Sequence, residues 1–193
     1  MITRCIKLAA FLGTLAALAY QTLATSVVPL EFESLCRKAD AIAYVKCAGV
    51  RSFVASDGQQ VMTETRLEVL APVKGTPGAE VTLILPGGKA EGRRTEIPGI
   101  PRFIAGEEAV VFLTRAGVHG SPWPVGLQQG CYVVRAGKEG DRWVALAPGA
   151  NPVPRDILAK PTGTGVARLP LDAFLDRIQR ELAAPSGERP QTF

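Results

Sequence analysis

Histidine is almost missing from this chain of 193 residues, in which His119 is the single example. A zinc site built on histidines needs several protein ligands, so one histidine does not make such a site. The chain also has no Gly-x-Ser-x-Gly motif of the kind that carries the nucleophile of α/β-hydrolases. The adjacent acids Glu107 and Glu108 follow Gly106 in a predicted turn. We therefore expect no catalytic residues, no metal and no cofactor.

Neither sign of charge dominates. The chain has 22 lysine and arginine residues against 18 aspartate and glutamate residues. Residues 1–24 contain Arg4 and Lys7 and no acid, so the rest of the chain has 20 basic against 18 acidic residues, a net charge of +2. A charge this small, scattered along the chain, excludes the basic patch that would indicate binding to nucleic acid or to an anionic membrane surface.

Cysteine is also scarce. Beyond Cys5, the chain contains only Cys36, Cys47 and Cys131, and an odd number cannot pair completely within one chain. A predicted helix and a predicted long strand separate Cys36 from Cys47 by more than a disulfide spans. The first candidate for a disulfide is therefore Cys47–Cys131 and the second is Cys36–Cys131. The alternative is that all three thiols are small, unpaired core residues.

The longest apolar run lies at the start of the chain. Arg4 and Lys7 precede an almost unbroken apolar run over Leu8–Tyr20, and small residues follow it. This pattern is typical of a secretory signal peptide, and the run is shorter than the roughly 20 residues of a membrane-spanning helix. We predict a signal peptide at 1–24, cleaved after Ala24 or else after Ala19. The protein would then be periplasmic or extracellular, without a stable membrane anchor; an uncleaved anchor is the alternative.

Short apolar runs alternate with turns rich in glycine and proline through the rest of the chain, which predicts a mainly β protein. A short helix is predicted at Leu30–Lys38. The predicted strands are Ala41–Phe53, Val61–Leu70, Val81–Leu85, Ala109–Thr114, Leu127–Arg135 and Arg142–Leu146. We expect a small, closed or half-closed OB-like β-barrel at 25–150, with a β-sandwich as the alternative. A linker rich in proline and glycine at 151–168 should lead to an amphipathic helix at 169–184 that packs on the barrel, and a disordered tail at 185–193.

Several turn and core motifs occur in a characteristic order. They are Ala39-Asp40, Thr63-x-Thr65-x-Leu67-x-Val69, Val73-Lys74-Gly75, Pro86-Gly87-Gly88 and Phe103-x-x-Gly106-Glu107-Glu108. With these motifs the chain resembles, over most of residues 30–182, a family of exported bacterial β-rich proteins of uncharacterised function. It is similar, less closely, to netrin-like modules, which include the tissue inhibitors of metalloproteinases. That second resemblance implies an OB-type barrel but no inhibition, because those inhibitors use an N-terminal cysteine and the predicted mature terminus is Thr25 or Tyr20.

Two loops are candidates for recognition of a partner. The first, Ile97–Phe103, is apolar and restricted by two prolines, and the second holds Trp123 between two prolines. The candidate partner-binding residues are Ile100, Arg102, Phe103 and Trp123. The alternative is that Phe103 and Trp123 plug the two ends of the barrel. We expect a noncatalytic exported module that contacts another secreted or envelope protein. A structural component of the cell surface, or a hydrolase without a recognisable motif, is the alternative.

Overall fold

The computed structural model describes residues 28–117, 120–137, 139–146, 151–154 and 167–184. The predicted signal peptide, His119, most of the predicted linker and the predicted tail lie outside these residues. The two helices are α1 (Phe32–Lys38) and α2 (Leu171–Ala183). The strands are β1 (Ala41–Val54), β2 (Val61–Lys74), β3 (Glu80–Pro86), β4 (Gly88–Ala90), β5 (Arg93–Thr95), β6 (Glu108–Leu113), β7 (Cys131–Ala136), β8 (Arg142–Leu146) and β9 (Ala167–Pro170).

Seven of the strands form one antiparallel sheet in the order β3-β2-β1-β6-β7-β8-β9, and β4 and β5 form a separate small hairpin. The prediction of a mainly β fold with a helix before it and a helix after it is confirmed. In the described part of the chain, β3 and β9 are the two edges of the sheet, and no hydrogen-bonded pairing joins them into a closed barrel.

Strand β1 is bent by several irregularities. Its register with β2 shifts at three places, the last of them between Cys47 and Gly49. Bulges of this kind bend a strand and increase its twist. As a result, β6 pairs with β1 only over Ala41–Lys46, whereas β2 follows β1 as far as Val54. The second half of β1 therefore has β2 on one side only.

One face of the sheet is covered by the two helices. The apolar stripe of α2 is buried through Leu171, Phe174 and Ile178. The Phe174 ring lies 5.8 Å from that of Phe32 in α1 and 4.9 Å from that of Tyr132 in β7. Burial of each large side chain contributes about 1.5–3 kcal/mol before the loss of entropy is counted. The prediction that the closing helix packs on the strands as part of the core is confirmed.

The opposite face is covered by loops rather than helices. Its core consists of small and aliphatic side chains from β1, β2, β3 and β6, against which Ile100, Phe103 and Trp123 pack. The loop after β6 returns to the free edge of β3, where the Ser121 hydroxyl accepts from the Ile84 amide at 2.9 Å and donates to the Thr82 carbonyl at 3.0 Å. One side chain thus satisfies backbone groups that an unpaired edge would leave open.

Several segments differ from their predicted structure; β4 and β5, for example, are absent from the predicted strands. The strand predicted from Leu127 begins at Cys131, because a 3-10 turn occupies Leu127–Gly130 after Gly126, whose φ of 63° breaks the extended chain. Ala167 and Arg168, predicted as the end of the linker, belong to β9, which pairs with β8. The Arg168 guanidinium lies 4.3 Å from the centre of the Trp143 ring, a cation–π contact that favours this pairing.

The predicted Cys47–Cys131 disulfide is absent, because both cysteines are free, as is Cys36. Cys131 in β7 pairs with Val111 in β6, which pairs with Ala43 in β1. Two strand spacings, about 10 Å, therefore separate Cys131 from β1, which exceeds the ~7 Å that a disulfide spans. Cys36 packs in the helix-covered core and Cys47 in the loop-covered core. The structure therefore agrees with the alternative that all three thiols are unpaired core residues.

Candidate binding cleft

A cleft of about 320 Å³ lies on the loop-covered side of the sheet, next to the second half of β1. Its floor comes from β1, β2 and the end of β3, one side from the turn into β4, and the other from the Ile97–Ile104 loop. This volume lies at the small end of the range for ligand sites, so it fits one or two side chains rather than a large cofactor. The lining residues are Val50, Ser52, Thr63, Thr65, Leu85, Pro86, Gly87, Gly88, Lys89, Ile97, Ile100, Pro101, Arg102, Phe103 and Ile104.

Three hydroxyl groups form the polar part of the floor. Ser52 and Thr63 are opposite each other on β1 and β2, and Val50 and Thr65 are the next pair on the same face. The Thr63 hydroxyl donates to the Gly87 carbonyl at 2.5 Å and lies 2.9 Å from the Ser52 hydroxyl. Thr65 is 3% exposed, and its hydroxyl makes no hydrogen bond to any residue that the structure describes. This hydroxyl is not fully buried, so it is open to the cleft and can hydrogen-bond to water or to a ligand.

The Pro86-Gly87-Gly88 motif brings the backbone close to these hydroxyls. Gly88 has φ 130°, and a Cβ atom there would overlap the side chains of Ser52 and Thr63. Glycine at this position therefore allows the turn from β3 into β4 to form one side of the cleft. The prediction that this motif is a turn after a strand is confirmed.

The Ile97–Ile104 loop forms the opposite side of the cleft. Its inner residues are packed against the protein, and its outer residues form an exposed apolar rim. Pro101 is buried, and Ile100 and Phe103 pack against the loop-covered core. Ile97 and Ile104 are exposed at the rim, with 63% of the Ile104 side chain accessible to solvent. The packed inner residues hold the loop in place. Exposed aliphatic side chains beside a cleft are typical of a surface that contacts a partner.

The charge of the cleft has one sign. Lys89 and Arg102 line it, and no acidic side chain does. Arg102 lies 3.7 Å from the Glu96 carboxylate, which already accepts a hydrogen bond from Arg94 at 2.6 Å. The Arg94 guanidinium holds the pKa of Glu96 below its usual range, so this carboxylate is shared between two cations. Lys89 is exposed and forms no ion pair with a described residue.

The structure brings together three of the four residues predicted to contact a partner. Ile100, Arg102 and Phe103 line the cleft. Trp123 does not; it packs against the loop-covered core, and its backbone bonds to Thr114. Phe103 and Trp123 are both half-buried. The sequence analysis missed the polar floor and the lining residues Val50, Lys89 and Ile104, whereas Ile97 belongs to the loop that it identified. The signal for the floor was present in Thr63-x-Thr65, which alternates in phase with the buried Leu67.

A second polar cluster, around Glu108, stabilises the sheet. The Tyr44 hydroxyl donates a short hydrogen bond to the Glu108 carboxylate, which also accepts from Arg142 at 2.9 Å. Hydrogen bonding by Arg142 lowers the pKa of Glu108, and burial raises the pKa of Tyr44 to about 12. Glu107 pairs separately with Arg135 at 2.7 Å. Each acid of the pair has its own cation, so this cluster joins β1, β6, β7 and β8 rather than forming a pair of interacting carboxyl groups.

Two absences hold for the described residues. In this part of the chain, no group of three or more histidine, cysteine, aspartate or glutamate side chains is arranged to hold a metal ion. Here too, the helices are shorter or less apolar than a membrane-spanning helix has to be. Comparison of the chain with protein-family models, with curated proteins and with solved structures found no match.

Proposed function

We propose that this protein is a noncatalytic binding module, exported by a cleaved signal peptide, that contacts another secreted or envelope protein through the cleft beside β1. One observation carries the proposal. Exposed aliphatic side chains, Ile97 and Ile104, lie at the rim of a cleft whose floor contains the hydroxyl groups of Ser52, Thr63 and Thr65. An apolar rim around a polar floor favours an apolar side chain that carries, or lies next to, a polar group.

The chemistry of the lining supports binding rather than catalysis. Its hydroxyl groups belong to Ser52, Thr63 and Thr65, and the lining includes no histidine, aspartate or glutamate. A serine or threonine nucleophile needs an adjacent general base to be activated. The hydrogen bonds of Ser52 and Thr63 run to each other and to a backbone carbonyl. They therefore position the floor and do not prepare a nucleophile.

The resemblance to OB-type barrels supports this proposal through the position of the cleft. OB-fold modules bind their ligands on a strand face next to loops. The cleft lies in a corresponding place, on the bent part of β1 and β2 and beside the Ile97–Ile104 loop. We propose that β1, β2, β3 and β6, with the Ser121 loop on the β3 edge, form a half-open barrel of this type.

Site-directed photo-crosslinking tests the proposal. Ile104→p-benzoylphenylalanine places the crosslinker at the rim, and the same replacement at Leu70, which is 40% exposed and lies outside the cleft, is the matched control. The purified proteins are mixed with envelope and culture-supernatant proteins of the cells that produce this chain, and irradiated. We expect a protein adduct at Ile104 only, which excess wild-type protein suppresses and excess Ile104→Glu protein does not.

Two results would overturn the proposal. Equal adducts from both positions would show that the cleft is not selective, and absence of any adduct at Ile104 would show that it does not face a partner. An adduct between two copies of this chain would instead favour the cell-surface assembly component.

A further inference from the structure

The edge of β1 next to the cleft has unpaired backbone groups. The Ala55 amide donates to the Gln60 carbonyl and closes the β1–β2 hairpin. In an antiparallel pair the backbone groups of alternate residues point toward the partner strand, and this bond determines which residues of β1 do so. With this alternation, the amides and carbonyls of Val50, Ser52 and Val54 point away from β2. On that side β6 pairs with β1 only as far as Lys46, and the last backbone bonds join Cys47 to Gly106 and Glu107. Val50, Ser52 and Val54 have no hydrogen bond on this edge to a described residue.

This edge and the cleft are continuous. Val50 and Ser52 contribute their outward backbone groups to the edge and their side chains to the cleft. A strand that paired with Val50–Val54 would direct every second side chain toward the loop-covered side of the sheet. Strand addition to an exposed edge is an established mode of peptide recognition, in which the backbone supplies affinity and pockets for alternate side chains supply specificity.

The charges select among possible segments. Lys89 and Arg102 line the cleft without an acidic neighbour in the lining, and Arg102 shares its carboxylate partner, Glu96, with Arg94. An acidic side chain in the cleft near Lys89 and Arg102 would be attracted by both cations, whereas a basic side chain would be repelled. Charge complementarity therefore favours an acidic segment over a neutral or basic one.

We propose that the occupant of the cleft is an extended segment of the partner protein that pairs as an added strand with Val50–Val54. It places an aliphatic side chain against the apolar rim formed by Ile97 and Ile104, and a carboxylate between Lys89 and Arg102. This inference rests on the proposed function and names the chemistry of the partner. A second copy of this chain is the competing occupant.

Selection from a random nonapeptide library displayed on phage, against the immobilised purified protein, tests the inference. The enriched peptide is synthesised with a fluorophore, and its affinity is measured by anisotropy. We expect an aliphatic residue and an acidic residue at fixed spacing. In the Lys89→Gln/Arg102→Gln variant the affinity should fall by about tenfold or more at low salt, as is typical for loss of charge-assisted contacts. Lys38→Gln/Arg115→Gln, which removes two exposed charges elsewhere, should bind like the wild type.

Backbone methylation of the same peptide tests the strand pairing. In an added strand, alternate amides face β1 and the others face solvent. N-methylation should therefore weaken binding by about tenfold at every second residue and have little effect at the residues between. N-methylation also restricts the peptide backbone, so the comparison of alternate positions, not the mean effect, is the readout.

The outcomes separate this inference from the proposed function. A consensus without an acid, equal binding by the two charge variants, or methylation effects without alternation would each overturn the inference. A protein adduct at Ile104 in the crosslinking experiment would at the same time keep the proposed function. Enriched peptides that bind the Ile104→Glu variant as well as the wild type would count against both. Self-association that competes with the peptide would overturn the inference in favour of a second copy.

Discussion

The substitution Ser121→Ala removes a side chain that closes part of the free edge of β3. Ser121 is 4% exposed, and its hydroxyl holds both the Ile84 amide and the Thr82 carbonyl. An unsatisfied buried donor or acceptor costs about 1–3 kcal/mol. Because Thr82 and Ile84 are themselves half-buried, water will replace part of the loss. We expect the free energy of unfolding to fall by about 1–2 kcal/mol, which lowers Tm by roughly 2–8 °C in a protein of this size.

Urea unfolding and amide hydrogen exchange measure this effect globally and locally. The Ile84 amide should exchange faster in the variant than the amides of Leu83 and Leu85, which point toward β2 and keep their partners. Ser56→Ala, in the exposed turn between β1 and β2, is the control and should change stability by less than about 0.5 kcal/mol. If both variants unfold at the same urea concentration and Ile84 keeps its protection, the hydroxyl does not close this edge.

Three other predictions concern the core, the thiols and the response to acid. Phe174→Ala should lower the free energy of unfolding by about 3–5 kcal/mol in urea titrations, because the ring is fully buried between Phe32 and Tyr132; a loss below about 1 kcal/mol would mean that α2 is free of the sheet. A thiol reagent should modify native protein slowly and denatured protein fast, since burial raises the pKa of Cys36 to about 12 and also raises that of Cys131; a mass change of 2 Da on reduction would reveal a disulfide. The lowered pKa of Glu108 contributes stability that is present above its usual pKa and lost as the pH falls through the native value. Arg142→Gln should therefore make the fall in Tm below about pH 5 shallower, and an unchanged slope would contradict this role for Arg142.

Most of the longer strands were predictable because they carry either a local alternation of buried and exposed side chains, as in β3, or a short apolar run, as in β6. The arrangement of the strands was not, because it depends on contacts between distant parts of the chain. The end of β2 illustrates the difference. The sequence predicts that it stops at Leu70, before Pro72. The strand continues to Lys74 because Ala71 and Pro72 still pair with β1, beyond Glu68, where the pairing of β2 with β3 ends. Proline is tolerated there because β2 has only one neighbouring strand.

The candidate site was predictable in part for the same reason. Two prolines and three apolar residues identified the Ile97–Phe103 loop as restricted and apolar, and Arg102 lies within it. The floor was not identified, because hydroxyl side chains on a strand fit either face. Only the register places Ser52 opposite Thr63. The cap that Ser121 forms on β3 spans more than 35 residues of sequence, and no local pattern indicates such a contact.

The affinity of the crosslinked partner for two matched variants tests the central claim most directly. Ile104→Glu places a charge on the apolar rim of the cleft, and Leu70→Glu places the same charge on an exposed aliphatic position outside it. Both side chains are exposed, so neither change should unfold the protein. We expect Ile104→Glu to weaken binding by at least about tenfold and Leu70→Glu to leave it within about twofold of the wild type. Equal affinities of the two variants would contradict the assignment of this cleft as the binding site.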